Sequence, residues 1–217
     1  MALAIFDLDN TLIAGDSDYL WGEFLVKNGY VDGEDFAKQN DRFYQDYQSG
    51  SLDIMAYQRF ALKPLSEQSM DTLADWHKQF MQTFIDPILL PKAQQLVNKH
   101  KKQGDRLLII TATNTFITRP IGKRYGITEL LGTEGEIIDN RYTGEVSGTP
   151  TFQQGKVTRL NEWLEEQGET LEGSYFYSDS HNDLPLLEIV DFPVVVDADD
   201  TLSAIAKQKG WPAISLR

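Results

Sequence analysis

The apolar run that opens at Leu3 (LAIFDLDN) stops abruptly at Asp7, Asp9 and Asn10, and this junction constrains the fold more than any other feature of the chain. A short, continuously apolar run reads as a strand buried on both faces, which belongs in a parallel sheet covered by helices. Similar runs recur at 106–111 (RLLIIT), 174–178 (SYFYS) and 192–196 (FPVVV). Helix-like stretches at 93–103, 116–125 and 156–167 separate them, and a further helix is expected to open at Asp183 with Pro185 in its first turn. Strands alternating with helices predict an α/β fold with a parallel sheet. Between 135 and 146, apolar and polar residues alternate around Asp139-Asn140, which predicts a β-hairpin inserted between two of these units as a surface flap.

The segment 16–87 follows a different rule. It holds 13 of the 24 aromatic residues, has four glycines and shows no strand-like run. Leu20, Trp21, Phe24 and Leu25 form one helical stripe, Phe36, Phe43, Tyr44 and Tyr47 a second, and Leu73, His77, Phe80, Met81 and Phe84 a third, with 55–62 a fourth candidate. This predicts a small helical bundle inserted into a core made of 1–15 and 88–217. The insert carries 6 basic and 13 acidic residues, so much of the chain's net charge of −13 sits there. Such a charge repels phosphate backbones and anionic membranes, which argues against nucleic-acid and membrane partners. The sequence has no cysteine, no apolar run of about 18 residues and no signal-peptide core, because Asp7 interrupts the first apolar stretch; a cytoplasmic protein is expected.

Three strand ends carry the chemistry. Asp7 and Asp9 end the first strand, and in open α/β sheets ligands bind at carboxyl ends. With period-two alternation both carboxylates are expected to point the same way, and two like charges so close call for a cation; all-oxygen donors favour Mg²⁺. Alone, an Asp-x-Asp-Asn turn serves equally well as a helix cap. Asp179, Asn182 and Asp183 follow SYFYS and stand ready to complete or support that metal shell, with a helix N-cap as the plainer reading of Asp183. Thr111 and Thr113 lie where a strand gives way to a helix start, a place suited to an anion. Lys156 opens its helix, where the dipole disfavours a cation unless an anion is near. Metal carboxylates, hydroxyls and a lysine together form the set that neutralises a phosphoryl group in transfer.

In order, Asp7-Leu-Asp9-Asn-Thr11, Thr111, Lys156 and Asp179-Ser-His-Asn182-Asp183 resemble the four motifs of the haloacid dehalogenase superfamily, over nearly the whole chain. The helical insert and the hairpin are similar to the phosphoserine phosphatase-like branch, and the stretch Phe6 to Trp21 is similar to bacterial histidinol-phosphatases of that branch. The resemblance implies a Rossmann-like, doubly wound parallel sheet with an inserted helical-bundle cap that selects substrate. It implies a phosphoric monoester hydrolase in which Asp7 forms an aspartyl-phosphate, Asp9 acts as acid and then base, and Thr111 and Lys156 bind phosphate. Asp7, Asp9, Asp179 and Asp183 make up the expected Mg²⁺ set, Asp7 and Asp179 through side-chain oxygens, Asp9 through its backbone carbonyl and Asp183 by orienting the site. The expected substrate contacts are Asp16, Asp18, Thr11, Thr113, Arg59 and Asn182. Asp16 stands where phosphoserine phosphatases carry a glutamate for the substrate ammonium, while Arg59 and Arg42 do not sit at the spacing that would serve a substrate carboxylate. A small amine-bearing phosphate ester, with histidinol phosphate foremost, is therefore expected. Phosphoserine, other amino-alcohol phosphates, phosphotransfer and a non-catalytic phosphoacceptor role are the alternatives.

Overall fold

The computed structural model describes residues 2–217. Strand β1 (Leu3–Phe6) is followed by four helices, α1 (Ser17–Lys27), α2 (Gly33–Gln48), α3 (Ile54–Ser66) and α4 (Met70–Phe80), before α5 (Pro91–Gln103) and β2 (Arg106–Asn114) resume the alternation. Helix α6 (Thr115–Arg124), the pair β3 (Leu130–Ile138) and β4 (Arg141–Ser147), and α7 (Gln154–Gln167) come next. The chain ends with β5 (Tyr175–Ser178), α8 (Leu184–Leu187), β6 (Phe192–Val196), α9 (Asp200–Lys209) and β7 (Ala213–Ile214). These strands form one sheet in the order β4-β3-β2-β1-β5-β6-β7, parallel throughout except for β4.

Alternation along β1 divides the core. Ala4 and Phe6 pack with α5 and α6 through Ala93, Val97, Ile117 and Ile121, whereas Leu3 and Ile5 pack with α7, α8 and α9 through Val157, Leu160, Leu187 and Leu202. Phe6, Ile5 and Leu8 are fully buried, the kind of site where truncation to Ala costs about 2–5 kcal/mol. Because β1 pairs with β2 on one side and β5 on the other, the chain reverses its direction of winding there, and the crevice at the strands' carboxyl ends lies beneath α1 to α3.

Several elements differ from expectation. Helix α8 opens after Asp183 with Pro185 in its first turn as read, but it lasts only one turn and follows a 3₁₀ turn at His181–Asp183. Pro64 lies inside α3, which the sequence does not advertise as continuing past it. The hairpin forms as read, with Asp139 and Asn140 both at positive φ as a tight two-residue turn demands. It is no free flap, because β4 lies against α3: Arg59 reaches Glu145 at 3.3 Å, and a Cβ on Gly144 would stand 3.4 Å from the Ser66 hydroxyl. No helix among the described residues is long and apolar enough to cross a membrane.

Candidate active site

Asp7 follows Leu3 and Ile5 on the α7 side of the sheet, and there it meets Lys156. The ammonium donates to Asp7 Oδ1 at 2.8 Å and to Asp183 at 2.7–2.8 Å, and all three side chains are buried. This close approach depends on Gly155, where a Cβ would run into the Pro150 carbonyl. The lysine's position at a helix N-terminus is thus explained by two carboxylates that outweigh the dipole. Burial pushes Asp7 up to about 7 against the opposing pull of Lys156. Asp183 also accepts from the Ser178 hydroxyl at 2.7 Å.

Asp9 goes elsewhere. The strand ends at Phe6 and the chain turns, with the Leu12 amide donating to the Leu8 carbonyl, so period-two alternation no longer applies. Asp9 Oδ1 accepts the Ser17 amide at 2.6 Å, and Oδ2 accepts the Thr113 hydroxyl at 2.8 Å and, more weakly, that of Thr111 at 3.5 Å. Burial, followed by the charge of Asp16, lifts it to about 6. Asp7 and Asp9 thus face one cavity with different partners, Lys156 for the first and Ser17 with Thr113 for the second.

The expected metal residues do not form a cluster of four carboxylates. Asp183 is taken by Lys156 and Ser178, and the Asp9 side chain is taken by Ser17 and Thr113. Among the described residues no group of three or more acidic, histidine or cysteine side chains converges on one point. What fits a divalent cation is narrower. Asp7 keeps Oδ2 free of any hydrogen bond, while Asp179 uses Oδ1 to accept from the Thr11 hydroxyl at 3.0 Å. Burial and the charge of Asp7 push Asp179 well above the usual carboxylate range, as two like charges buried side by side require. The donors are all hard oxygens, which suits Mg²⁺.

Above Asp7 lies a cavity with about 530 Å³ of space outside protein atoms, its solvent mouth included. Asp7, Asp9, Thr111, Ala112 and Thr113 form its floor, and Asp16, Asp18, Tyr19, Asn40, Phe43, Tyr44, Tyr47, Leu52, Ile54 and Tyr57 its walls. Among the described residues no Lys, Arg or His borders it. Asp16 caps α1, its Oδ1 accepting the amides of Asp18 and Tyr19 at 3.0 and 2.8 Å. Burial is the leading cause that pushes both Asp16 and Asp18 up to about 7.

Three expected substrate contacts take other positions. Thr11 is fully buried and holds Asp179. Arg59 is exposed and paired with Glu145, away from the cavity. Asn182 is occupied by bridging Gln153 and the Tyr47 carbonyl at 2.9 and 3.0 Å, tying α2 to the loop after β5. Sequence reading missed Gln153, Asn40 and the tyrosine wall. Gln153 alone left a trace, in preceding Gly155 and Lys156; its φ of 47° is unusual for a residue with a side chain.

A family model described as haloacid dehalogenase-like hydrolase matches residues 4–188. A histidinol-phosphatase of Neisseria meningitidis serogroup C (strain 8013) is 49% identical, over 99% of this chain and 99% of that protein. The phosphoserine phosphatase SerB1 of Mycobacterium tuberculosis (strain ATCC 25618 / H37Rv) is 30% identical over 97% of this chain and 69% of its own length. A crystal structure of a protein of unknown function from Bordetella pertussis Tohama I superposes with a TM-score of 0.94 at 42% identity, covering 100% of this chain and 99% of that one. A substrate-bound phosphoserine phosphatase shares the fold, with a TM-score of 0.71 at 15% identity over 98% of this chain and 92% of that chain.

Proposed function

Because the chain belongs to the haloacid dehalogenase-like hydrolase family and is a phosphatase, we propose that it hydrolyses a small amine-bearing phosphate ester, histidinol phosphate foremost, through an aspartyl-phosphate on Asp7. The observation that carries this reading is the cavity itself: Asp7 and Asp9 on its floor, Asp16 and Asp18 on its wall, and no cation along it. A carboxylate-bearing ester such as phosphoserine would find no partner for that group, since Lys156 is already engaged by Asp7 and Asp183. An ammonium would find Asp16. The identity to the Neisseria histidinol-phosphatase supports the same choice.

The chemistry follows from the side-chain partners. Lys156 holds Asp7 Oδ1 and leaves Oδ2 as the nucleophilic oxygen, which forms the bond to phosphorus as the ester bond breaks. Asp9, lifted to about 6, gives its proton to the leaving alkoxide near neutral pH and then takes one from the water that hydrolyses the acyl phosphate. The Ser17 amide and Thr113 hydroxyl hold Asp9 for both transfers, so the first turn of α1 orients the acid as well as lining the cavity. Thr111 offers its hydroxyl to a phosphate oxygen. Mg²⁺, held by the Asp7 and Asp179 side chains and the Asp9 main-chain carbonyl, would supply electrostatic neutralisation of the phosphoryl group.

Phosphate release with and without EDTA tests the reading, together with borohydride trapping of Asp7 during turnover. Expected are loss of activity with EDTA, recovery with Mg²⁺ and a mass change confined to Asp7. Metal-independent turnover, or a label on another residue, contradicts it.

A further inference from the structure

Five residues other than glycine have positive φ among the described residues. Four are Asn or Asp, which tolerate that conformation; Gln153, at φ 47° and ψ −118°, is the exception. Strain of this kind persists only where neighbouring contacts hold it. The Gln153 carbonyl accepts the Lys156 amide at 3.0 Å, closing the turn that brings the lysine to Asp7. Its side-chain amide points the other way, donating to Asn182 Oδ1 at 2.9 Å, and Asn182 Nδ2 donates in turn to the Tyr47 carbonyl at 3.0 Å in the last turn of α2. A carbonyl only accepts, so Asn182 must give its amide to Tyr47 and its oxygen to Gln153.

The core side of this relay is fixed independently. The Asn182 main-chain amide donates to the Ser180 hydroxyl at 3.2 Å, and Asp199 holds His181 through its main-chain amide at 2.7 Å and its Nδ1 at 2.9 Å. On the helical side, the chain just past α2 lies flush against that imidazole: Gly50 has φ 74°, and a Cβ there would stand 3.0 Å from His181 Nε2. The middle of α2 is tied to α1, Asn40 Nδ2 donating to the Tyr19 carbonyl at 3.0 Å, while its last turn is tied to the core by the relay.

We propose that Gln153 is a positioning residue for the phosphatase reaction: through Asn182 it fixes the last turn of α2, and with it the cavity-facing Tyr44 and Tyr47, against the loops that carry the reacting groups. Its strained backbone is the consequence of serving the Lys156 turn and α2 at once. Lys156 keeps its ion pairs to Asp7 and Asp183 when the Gln153 side chain is lost, so substrate binding suffers and the chemical step does not. This holds for whichever phosphate ester the cavity takes.

Three variants test it. Gln153→Gly removes the side chain and relaxes φ, Gln153→Ala removes the side chain and keeps the strain, and Gln153→Glu keeps the shape but offers an acceptor where Asn182 needs a donor. In all three, KM for histidinol phosphate, or for para-nitrophenyl phosphate should histidinol phosphate not be turned over, is expected to rise about tenfold with kcat within about twofold. Hydrogen exchange followed by mass spectrometry is expected to run about tenfold faster over 44–52 and to stay unchanged over α3. Wild-type KM and wild-type exchange over 44–52 in Gln153→Gly would reduce Gln153 to a part of the Lys156 turn and overturn the proposal. A fall in kcat at unchanged KM, or exchange that rises equally across α2 and α3, also overturns it. Should Gln153→Ala or Gln153→Glu fail to fold, Gln153→Gly decides, because it relieves the strain.

Discussion

Two pairs of aspartates, one under the floor of the cavity and one along its wall, stand in different states of balance. On the sheet side, Asp7 and Asp183 share Lys156, and each ion pair is short and buried. On the helical side, Asp16 and Asp18 have amide, hydroxyl and aromatic neighbours but no cation, and one oxygen of Asp18 has no partner. On the sheet side Lys156 fixes Asp7 and Asp183 in place before any ligand arrives, as chemistry that must not reorganise requires, while Asp179 beside Asp7 awaits a cation. The helical side is balanced only when a positively charged ligand enters. On the proposed function, catalysis and selection fall to separate sets of residues, joined at Asp9, which sits on the first loop but is held by Ser17 of α1.

The largest effect that would sharpen this contrast is on the sheet side. Asp7→Asn is expected to reduce kcat by at least about 10⁴-fold with circular dichroism unchanged, because it removes the nucleophile. Turnover within tenfold of wild type would break the assignment. Lys156→Met leaves Asp7 and Asp183 buried without their cation and is expected to cost about 3–5 kcal/mol in urea unfolding, along with most of the activity. On the helical side, Asp16→Asn is expected to lower kcat/KM for amine esters about 30-fold more than for para-nitrophenyl phosphate, and equal losses would reduce Asp16 to a helix cap.

The smallest effect carries the opposite sign. Burial raises Asp18 from 3.8 to about 7, so the folded state binds that proton more tightly than the unfolded state. Its contribution therefore erodes stability as pH rises from about 4 to about 7 and stays constant above that. Asp18→Asn should stabilise the metal- and ligand-free protein by about 1–2 kcal/mol at pH 7.5 and by nothing near pH 3.5. Thermal melts across that range check it, and destabilisation at pH 7.5 would mean that Asp18 is already neutralised within the fold.

How much was legible in the sequence differs between the same two regions. On the sheet side, apolar runs ending in acids identify β1 and β5 and the floor of the site, because a strand buried on both faces has few other ways to be written. Periodicity does not name the partners where the backbone leaves the strand: the turn from Leu8 to Ile13 begins at once, and Asp9 is held by Ser17 and Thr113 rather than by Lys156. In the insert, helical stripes locate α1 to α4, but they do not say which aromatic faces inward. Tyr44 and Tyr47 read as core and line the cavity instead, while Arg59 read as a ligand and lies on the surface against Glu145. Side-chain destinations that depend on how α2 and α3 dock on the sheet leave no local signal.

The most direct measurement is Mg²⁺-supported kcat/KM for histidinol phosphate, phosphoserine and para-nitrophenyl phosphate on the same preparation. A cavity walled by uncompensated carboxylates predicts that histidinol phosphate exceeds phosphoserine by at least about 100-fold, since the extra carboxylate is buried without a cation. Phosphoserine turned over as well as histidinol phosphate, or better, would contradict the division between a balanced floor and a wall that awaits positive charge.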